Sequence, residues 1–494
     1  MHSRFKGKVR LSLLSAIAEE ARNAAASLAD YVGGAGLRLG VTGLSRAGKT
    51  VFITALIHNL TQGGRLPVFR VLAEGRLTSA RLEPQPDDQI PRFAYEEHLA
   101  ALTGAERIWP QSTRRISELR LTLEYASRRG WGSKARTLTL DIVDYPGEWL
   151  LDLPLLTKSY PQWSRETLEA SASAARAPLA QDWRGFLAML PADARASEDT
   201  ARKASDLFTA YLRAARADQF ALSTLPPGRF LMPGDLEGSP ALTFSPLLPE
   251  AGEAREGTLA AMMERRFEAY KRHVVQPFFR EHFSRLDRQI VLVDALSALN
   301  SGPAAVRDLE TALADVLLAF RAGRGSFFAS VFRPKIDRIL FAATKADHLH
   351  HVSHDRLEAI LRLLVERALA RAEGLGALTD VIALAAVRAT REAAVKHNGE
   401  TMEAIVGTPL KGETLDGEEF DGESEAAVFP GELPADARAV FRGEGLAMPE
   451  AEAAMRFLRF RPPRAVFGAD GRLQPLPHIR LDRALEFLLG DRVG

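Results

Sequence analysis

Cysteine is absent from the 494 residues of this chain. Disulfide bridges, zinc–thiolate sites and cysteine nucleophiles are therefore excluded, and a reducing, cytoplasmic compartment is expected. Long apolar runs are missing as well, since no uninterrupted stretch approaches the roughly 20 residues of a membrane-spanning helix. The chain also lacks an excess of either charge, because 64 basic residues face 63 acidic ones and leave a net charge of +1. We therefore expect no nucleic-acid partner.

The composition that remains is ordinary for globular proteins, with 46% hydrophobic residues, and this length is typical of about two to four domains. The N-terminal segment 1–36 begins basic and carries apolar residues at seven-residue spacing from Leu14 to Tyr31, which predicts a helix. Charged residues cut the apolar stretch too short for a secretory signal. We expect this helix to pack on its own domain, and contact with a membrane surface is the alternative.

The stretch Leu37–Thr50 organises the rest of the chain. It contains a short apolar strand, a glycine-containing turn and a helix start, and it fits the phosphate-binding pattern GxxxxGKT. Its two glycines let the backbone approach a polyphosphate, Lys49 reaches the outer phosphates, and the Thr50 hydroxyl holds Mg2+. A chance match is the competing interpretation, which the flanking strand and helix disfavour. The nucleotide-binding residues predicted here are Gly43, Ser45, Arg46, Ala47, Gly48, Lys49, Thr50 and Val51.

Strand and helix patterns alternate through much of the chain. An antiparallel hairpin is predicted at 119–143, and buried strands are predicted at 289–295, 337–343 and 380–387, with helices between them. This alternation is typical of an α/β fold with a mostly parallel, doubly wound sheet. Ligands of such sheets bind at the carboxyl ends of the strands.

Changes of composition divide the chain into five segments. Residues 149–287 are rich in Ala, Leu, Arg and Glu with helical periodicity, for example at 165–178, 200–217 and 258–285, which predicts an all-helical insertion. The last hundred residues contain short β patterns, including 403–406, 426–429 and 456–461, before an amphipathic helix at 481–489. The predicted organisation is an N-terminal helix (1–36), the first half of the sheet domain (37–148), the helical insertion (149–287), the second half (288–395) and a β-rich C-terminal region (396–494).

The sequence DYPG at 144–147 follows the second strand of the hairpin. At this position Asp144 would hold Mg2+ through a water molecule, and the Gly147 N–H would face a third phosphate. The pattern DxxG is weak alone. Its place at the end of a strand after a phosphate-binding loop makes it specific.

The sequence TKAD at 344–347 follows a later buried strand and resembles a base-reading loop. The Asp347 carboxylate would accept two hydrogen bonds from a guanine edge, which adenine cannot offer. The stem of Lys345 would cover the ring face, and the Thr344 hydroxyl would tie this loop to the phosphate-binding loop. An ordinary strand-to-helix turn is the alternative.

Taken in this order, the motifs resemble those of Ras-like P-loop GTPases. More closely, GLSRAGKT, WPQSTRRISELRL, DYPGEW, TKAD, AAVRAT, FPGELP and the ending PHIRLDRALEFLLGD are similar to the bacterial YcjX family, through nearly the whole chain. The resemblance implies a Ras-like P-loop GTPase domain, Mg2+ as the cofactor, GTP and GDP as ligands, and a cytosolic, stress-associated protein.

The resemblance also implies roles for residues outside the strongest motifs. Thr113 is the candidate switch threonine that reaches Mg2+, with Ser112 as the runner-up. Ala386 and Val387 fall in the base-contacting turn, where the usual serine is missing and only backbone contacts are expected. Glu148 stands where Ras-like proteins carry a glutamine that orients the attacking water. The alternative for Glu148 is an ion pair with an arginine of the helical insertion.

Other charged residues near these motifs have ordinary explanations. Arg46, Arg114 and Arg115 could supply positive charge to a phosphoryl group, but we expect them to be solvated or paired with local carboxylates. Histidines 348, 350, 351 and 354 follow the base-reading motif. We expect them to be solvated, because no cysteine accompanies them and the loop should be exposed.

We predict a Mg2+-dependent GTP-binding protein that hydrolyses GTP slowly. Direct roles in hydrolysis are assigned to Lys49, Thr113 and Glu148, and Mg2+ ligation to Thr50, Thr113 and Asp144. One alternative is a nucleotide-gated interaction switch with little hydrolysis, and another is an ATPase or kinase, which TKAD disfavours. A protein partner is expected, and its identity and the oligomeric state are left open.

Overall fold

The computed structural model describes residues 35–43, 46–85, 87–111, 113, 115–128, 135–191, 193–216, 226–247, 255–318, 336–397, 400–415, 417–442 and 457–494. The helix predicted between Leu14 and Tyr31 lies outside the described residues. No helix within these ranges is both long and apolar enough to cross a membrane.

A seven-stranded sheet forms the centre of the fold, in the spatial order β2–β3–β4–β1–β5–β6–β7. Five strands, β4, β1, β5, β6 and β7, run parallel, whereas β3 pairs antiparallel with both β2 and β4. The fold is therefore mixed α/β with a mostly parallel sheet, and the predicted hairpin is present as β3 and β4. The strand bounds are β1 Ala35–Gly43, β2 Leu77–Leu82, β3 Ser117–Ala126, β4 Ala135–Asp144, β5 Arg288–Val293, β6 Arg338–Ala343 and β7 Leu378–Ala383.

Helices cover both faces of this sheet. Successive side chains of a strand point to opposite faces, and on β6 Leu340 packs in one apolar cluster with Phe52 whereas Phe341 packs in a second cluster with Leu361. Covered faces explain why β5 is buried at all its positions. The helix bounds are α1 Lys49–Thr61, α2 Arg70–Ala73, α3 Tyr95–Thr103, α4 Tyr160–Ser171, α5 Gln181–Ala188, α6 Glu198–Ala215, α7 Leu259–Tyr270, α8 Gln276–Glu281, α9 Ala295–Asn300, α10 Pro303–Leu318, α11 His354–Leu364, α12 Glu366–Gly374, α13 Ala439–Arg442 and α14 Leu481–Leu489.

Strand β1 lies in the middle of the sheet, between β4 and β5. After β1 the chain builds β2 to β4 on one side, and it later returns to place β5 on the other side. The strand order therefore reverses at β1, and ligands of open α/β sheets bind at such a reversal, beyond the carboxyl ends of the strands. The motifs that follow β1, β4 and β6 consequently share one edge of the sheet.

Between β4 and β5 the described residues form α-, 3-10 and π-helical segments, with no strand. A 3-10 segment at Gly147–Thr157 comes first, and α4 to α8 follow. Their core is aromatic: the ring of Trp163 stacks on Phe267 with centroids 5.0 Å apart, and Trp183 stacks on Tyr211 at 5.5 Å. The helical periodicity of this part of the sequence is thus realised.

The helix bounds in this part differ from those predicted. The helix predicted from residue 165 begins at Tyr160, because Ser159 accepts a hydrogen bond from Gln162 N–H and Pro161 suits the first turn. The long helix predicted from Thr258 is divided, since α7 passes through a π-helical turn at 271–275 before α8.

The C-terminal region is rich in short strands. Strands β8 Arg391–His397, β9 Glu400–Gly407 and β12 Ala426–Val428 form an antiparallel sheet in the order β12–β9–β8, and β10 Thr414–Leu415 pairs with β11 Glu418–Glu419. The strand predicted at 456–461 is described only over 457–461, and there the prediction is wrong. Leu458 and Phe460 pack against the small sheet, but the only β-pairing of these described residues is a single bridge from Phe460 to Pro409. The predicted closing helix forms as α14, and its buried leucines pack with the central sheet.

Candidate functional site

The turn after β1 is shaped by its two glycines. Gly43 has φ +155°, and a Cβ there would lie 2.5 Å from the Leu292 carbonyl oxygen of β5, so no side chain fits. Gly48 has φ +84°, and α1 begins at the next residue, Lys49. The Lys49 ammonium donates a hydrogen bond to the Gly43 carbonyl at 3.0 Å. The lysine therefore spans the turn. The predicted binder Ser45 lies outside the described residues.

Three oxygen-bearing side chains meet beside this turn. Thr113 Oγ1 donates to Asp144 Oδ2 at 2.6 Å, and it lies 3.4 Å from Thr50 Oγ1. Asp144 is 1% exposed, and its second oxygen, Oδ1, makes no hydrogen bond although it is buried. Hydroxyl and carboxylate oxygens are the ligands that Mg2+ prefers. The three predicted Mg2+ ligands thus fit the ion in chemistry and in placement.

The electrostatics of Asp144 fit the same interpretation. Burial raises the pKa of its carboxyl group to about 6, while the Lys49 charge and the Thr113 hydrogen bond act in the opposite direction. A buried carboxylate with a raised pKa and an unbonded oxygen is under-stabilised by its protein neighbours. A cation at this position would supply the missing stabilisation.

Glu148 is buried, and its carboxylate forms an ion pair with the Arg216 guanidinium at the end of α6. This contact is the alternative that the sequence analysis kept open for Glu148. The backbone beside it is equally enclosed, because a Cβ at Gly228 would lie 1.7 Å from the Glu148 carbonyl oxygen. The residue after DYPG is therefore held by the helical part of the chain.

Residues of the helical part of the chain also enclose the 3-10 segment Gly147–Thr157. The Arg229 guanidinium lies over the Trp149 ring at 3.1 Å from its centroid. Buried Asp152 accepts hydrogen bonds from Gly228 N–H at 2.7 Å and from the Tyr270 hydroxyl at 2.7 Å. Burial raises the pKa of Asp152 to about 6.

Asp152 makes a testable contribution to stability. The pKa of Asp152 in the folded protein lies above that of an ordinary aspartate. Its contribution to the free energy of unfolding is therefore fully present in acid and is lost as the pH rises through about 6. Asp152→Asn should remove this loss. Above pH 6 its free energy of unfolding should exceed that of the parental chain by up to about 3 kcal/mol. Urea unfolding on both sides of pH 6 measures the difference. The exposed Asp206→Asn variant is the control, and a pH-independent difference would contradict the assignment.

The base-reading motif keeps its carboxylate inside the protein. Asp347 is buried, Oδ2 accepts a hydrogen bond from Ala389 N–H at 2.8 Å, and Thr390 Oγ1 donates to the Asp347 carbonyl. The predicted contact residues Ala386 and Val387 lie in the same turn, but Val387 packs in an apolar cluster. The residues that hold Asp347 are thus two or three positions further along, which the sequence analysis missed.

One expectation for this loop needs correction. The Thr344 hydroxyl donates to the Val293 carbonyl of β5 at 3.4 Å, and not to the phosphate-binding loop, because β5 is the strand paired with the one that precedes it. Lys345 takes a left-handed backbone conformation, φ +61°, and its ammonium pairs with Asp294 at 2.5 Å. This lysine is therefore oriented by a neighbouring strand end.

Two arginines from distant parts of the chain act electrostatically on Arg46 of the phosphate-binding loop. Burial, then the charges of Arg216 and Arg459, lower the pKa of Arg46, and the charge of Asp294 acts the other way. Arg216 belongs to the helical segments and Arg459 to the C-terminal region. Arg115 is exposed, and Ser112 and Arg114 lie outside the described residues. Sequence analysis missed Arg216 and Arg459, since neither lies near a motif.

Comparison with known proteins identifies relatives over nearly the whole chain. The YcjX-like family model, DUF463, matches residues 37–493. A protein of Escherichia coli (strain K12) named "Ras-like GTPase YcjX" is 40% identical over 471 residues, which cover 92% of this chain and 96% of the relative. A protein of the same name from Shewanella oneidensis is 35% identical over 482 residues, covering 92% and 94%. The chain therefore belongs to the YcjX-like family.

Proposed function

We propose that this protein binds GTP with Mg2+ and hydrolyses it slowly to GDP and phosphate. The observation that carries the proposal is the cluster of Lys49, Thr50, Thr113 and Asp144 at the carboxyl end of β1 and β4. Catalysis of phosphoryl transfer consists mostly of positioning and charge neutralisation. A lysine that spans the turn and a set of convergent oxygens supply both. The relatives named above as Ras-like GTPases support the same chemistry.

The fold supports a Ras-like P-loop domain in two halves. Residues 37–148 and 288–395 contribute the strands on either side of β1, and residues 149–287 contribute the helical segments. The chain leaves the sheet directly after DYPG and returns at β5. An insertion at this position touches the predicted site without replacing any strand of the sheet.

The proposed Mg2+ ligands are Thr50, Thr113 and Asp144. When bound, the ion neutralises phosphate charge and polarises phosphate oxygens. The side chains hold their part of the arrangement in advance: Thr113 keeps Asp144 oriented through its hydrogen bond, and Asp144 presents an unbonded oxygen. Lys49 supplies a fixed positive charge at the mouth of the turn.

The proposed base specificity rests on Asp347. A buried carboxylate that is held by Ala389 N–H keeps one oxygen in a fixed place and leaves acceptor capacity for a ligand. A guanine edge offers two donors to such a carboxylate. Adenine offers no such pair of donors, so the remaining acceptor capacity of the buried carboxylate would stay unused, which is costly.

The direct test is phosphate release by the purified full chain. We expect release from GTP in the presence of Mg2+, little from ATP, and none when a chelator removes the metal. Single-turnover measurements separate slow chemistry from slow product release. Equal release from ATP would favour the ATPase alternative. Binding of guanine nucleotides without phosphate release would favour the interaction switch over a GTPase.

The interaction switch has one specific observation in its favour. The Glu148 carboxylate is paired with Arg216, so it is held by the helical segments. A pair between the residue after DYPG and the helical segments could instead transmit the presence of a third phosphate to those helices. A conformational change of this kind is an output that a partner protein can read.

The Glu148–Arg216 pair is testable through stability and affinity together. Arg216→Ala should cost about 3 kcal/mol or more in the free energy of unfolding, because it leaves a buried carboxylate unpaired. Glu148→Gln should cost less and should tighten GTP binding, since it removes a negative charge near the third phosphate. Urea unfolding and calorimetry measure the two effects. Exposed Arg213→Ala on the same helix is the matched control, and equal stability of the Arg216 and Arg213 variants would contradict the pairing.

A further inference from the structure

The loop that follows the base-reading motif carries histidines whose environments differ. His354 is buried and its Nε2 hydrogen-bonds with the Ala346 carbonyl at 2.9 Å, so the expectation that all four histidines are solvated is wrong. His350 is largely buried and His351 is exposed, and their ring centroids lie 4.4 Å apart. The two histidines that lie side by side are therefore 350 and 351.

Glu392 of strand β8 completes a cluster with these two rings. His351 Nδ1 lies 2.9 Å from Glu392 Oε2, and His350 Nε2 lies 4.0 Å from the same oxygen. One ligand atom from each of the three residues lies within 4.8 Å of the other two. Ligands around a tetrahedral ion with bonds of about 2.1 Å are roughly 3.4 Å apart. The cluster is thus slightly wider than a closed site and could contract around an ion.

The remaining nitrogen of His350 has a carboxylate beside it. His350 Nδ1 lies 3.2 Å from Oε2 of Glu403, on β9, yet it makes no hydrogen bond of good geometry although it is buried. A carboxylate on the far nitrogen of a metal-binding imidazole fixes the ring and raises its basicity. Glu403 is placed to do this once a small rotation of the ring closes the contact and turns Nε2 toward the cluster.

The other charges around the cluster leave its ligand atoms available. Arg388 contacts Glu392 through Oε1 at 3.4 Å, and not through the oxygen that faces the histidines. One oxygen of Glu392 therefore faces both rings, at 2.9 Å from His351 Nδ1 and at 4.0 Å from His350 Nε2. A divalent ion would satisfy all three ligand atoms at once.

We propose that His350, His351 and Glu392 bind a divalent transition-metal ion, with Glu403 orienting His350. Imidazole ligands select Zn2+, Ni2+ or Cu2+ over Mg2+, which prefers oxygen. The ion would join the loop after the base-reading motif to the β8–β9 hairpin of the C-terminal sheet. This site is distinct from the proposed Mg2+ ligands and does not depend on nucleotide hydrolysis.

The test is calorimetric titration of Zn2+ into the untagged, chelator-treated full chain in excess Mg2+, which occupies oxygen-only sites. We expect one saturable Zn2+ site per chain. It should be lost in His351→Ala and Glu392→Gln, and Glu403→Gln should weaken it by about tenfold. The exposed His273→Ala variant should bind like the parent.

Thermal melts without metal establish that each variant is folded before its titration is interpreted. Saturating Zn2+ should raise the melting temperature of the parent and of His273→Ala, because ligands that bind only the folded state stabilise it. The melting temperatures of His351→Ala and Glu392→Gln should not respond. Absence of saturable binding by the parent, or binding that survives both substitutions, would overturn the proposal.

Discussion

Lys49→Ala should lower single-turnover GTP hydrolysis by about 10²–10³-fold or more, the usual cost of removing one group that stabilises developing charge. It should also weaken the binding of GTP more than that of GDP, because the ammonium is assigned to the outer phosphates. Phosphate release and calorimetry with both nucleotides measure these two effects.

The fold should survive this substitution. Alanine is favourable at the start of α1, and the lost hydrogen bond to the Gly43 carbonyl costs only about 0.5–1.5 kcal/mol. Lys411→Ala, at an exposed position in the C-terminal region, is the matched control. Parental hydrolysis by folded Lys49→Ala would reject the phosphate-binding assignment.

Asp347 should impose the largest discrimination between nucleotides. A site built to accept hydrogen bonds rejects an analogue that lacks the donors by up to about 10⁴-fold, so GDP should bind far more tightly than ADP. In Asp347→Asn the side-chain oxygen can still accept from Ala389 N–H. Its amide then presents a donor where the carboxylate presented an acceptor, which shifts preference from guanine toward xanthine.

Competition between GDP, ADP and XDP for the parent and the variant measures this preference. Asp88→Asn, in an exposed loop, should leave the order of affinities unchanged. Tighter binding of ADP than GDP by the parent would reject Asp347 as the base reader. Unchanged preference in a folded Asp347→Asn variant would do the same.

Local sequence was sufficient for much of the architecture. The apolar strands, the hairpin and the closing helix follow from patterns of about ten residues, and the turn around Gly43 follows from steric demands that the spacing of glycines reveals. Thr113 and Asp144 were also predicted as neighbours, and the structure brings their side chains to 2.6 Å. Here each prediction depended on residues that end adjacent elements of the same sheet.

Contacts across long sequence distances were not predictable in the same way. Arg216 reaches Glu148 from 68 residues away, and Arg459 approaches Arg46 from the far end of the chain. Neither arginine stands in a distinctive pattern. Asp347 accepts its hydrogen bond from Ala389 N–H and not from Ala386 N–H. That difference depends on the path of the turn, which the local sequence does not specify.

The absence of room at Gly228 has a thermodynamic consequence. Its backbone lies against the Glu148 carbonyl, so the segment that follows DYPG is packed closely against the helical part of the chain. If a third phosphate draws Gly147 inward, its binding energy must first displace part of this packing. The affinity for triphosphate then includes the free energy of this conformational change, which is set by residues that never touch the nucleotide. A binding partner that loosened the helices would raise the affinity for GTP. GTP would raise the affinity for that partner by the same factor.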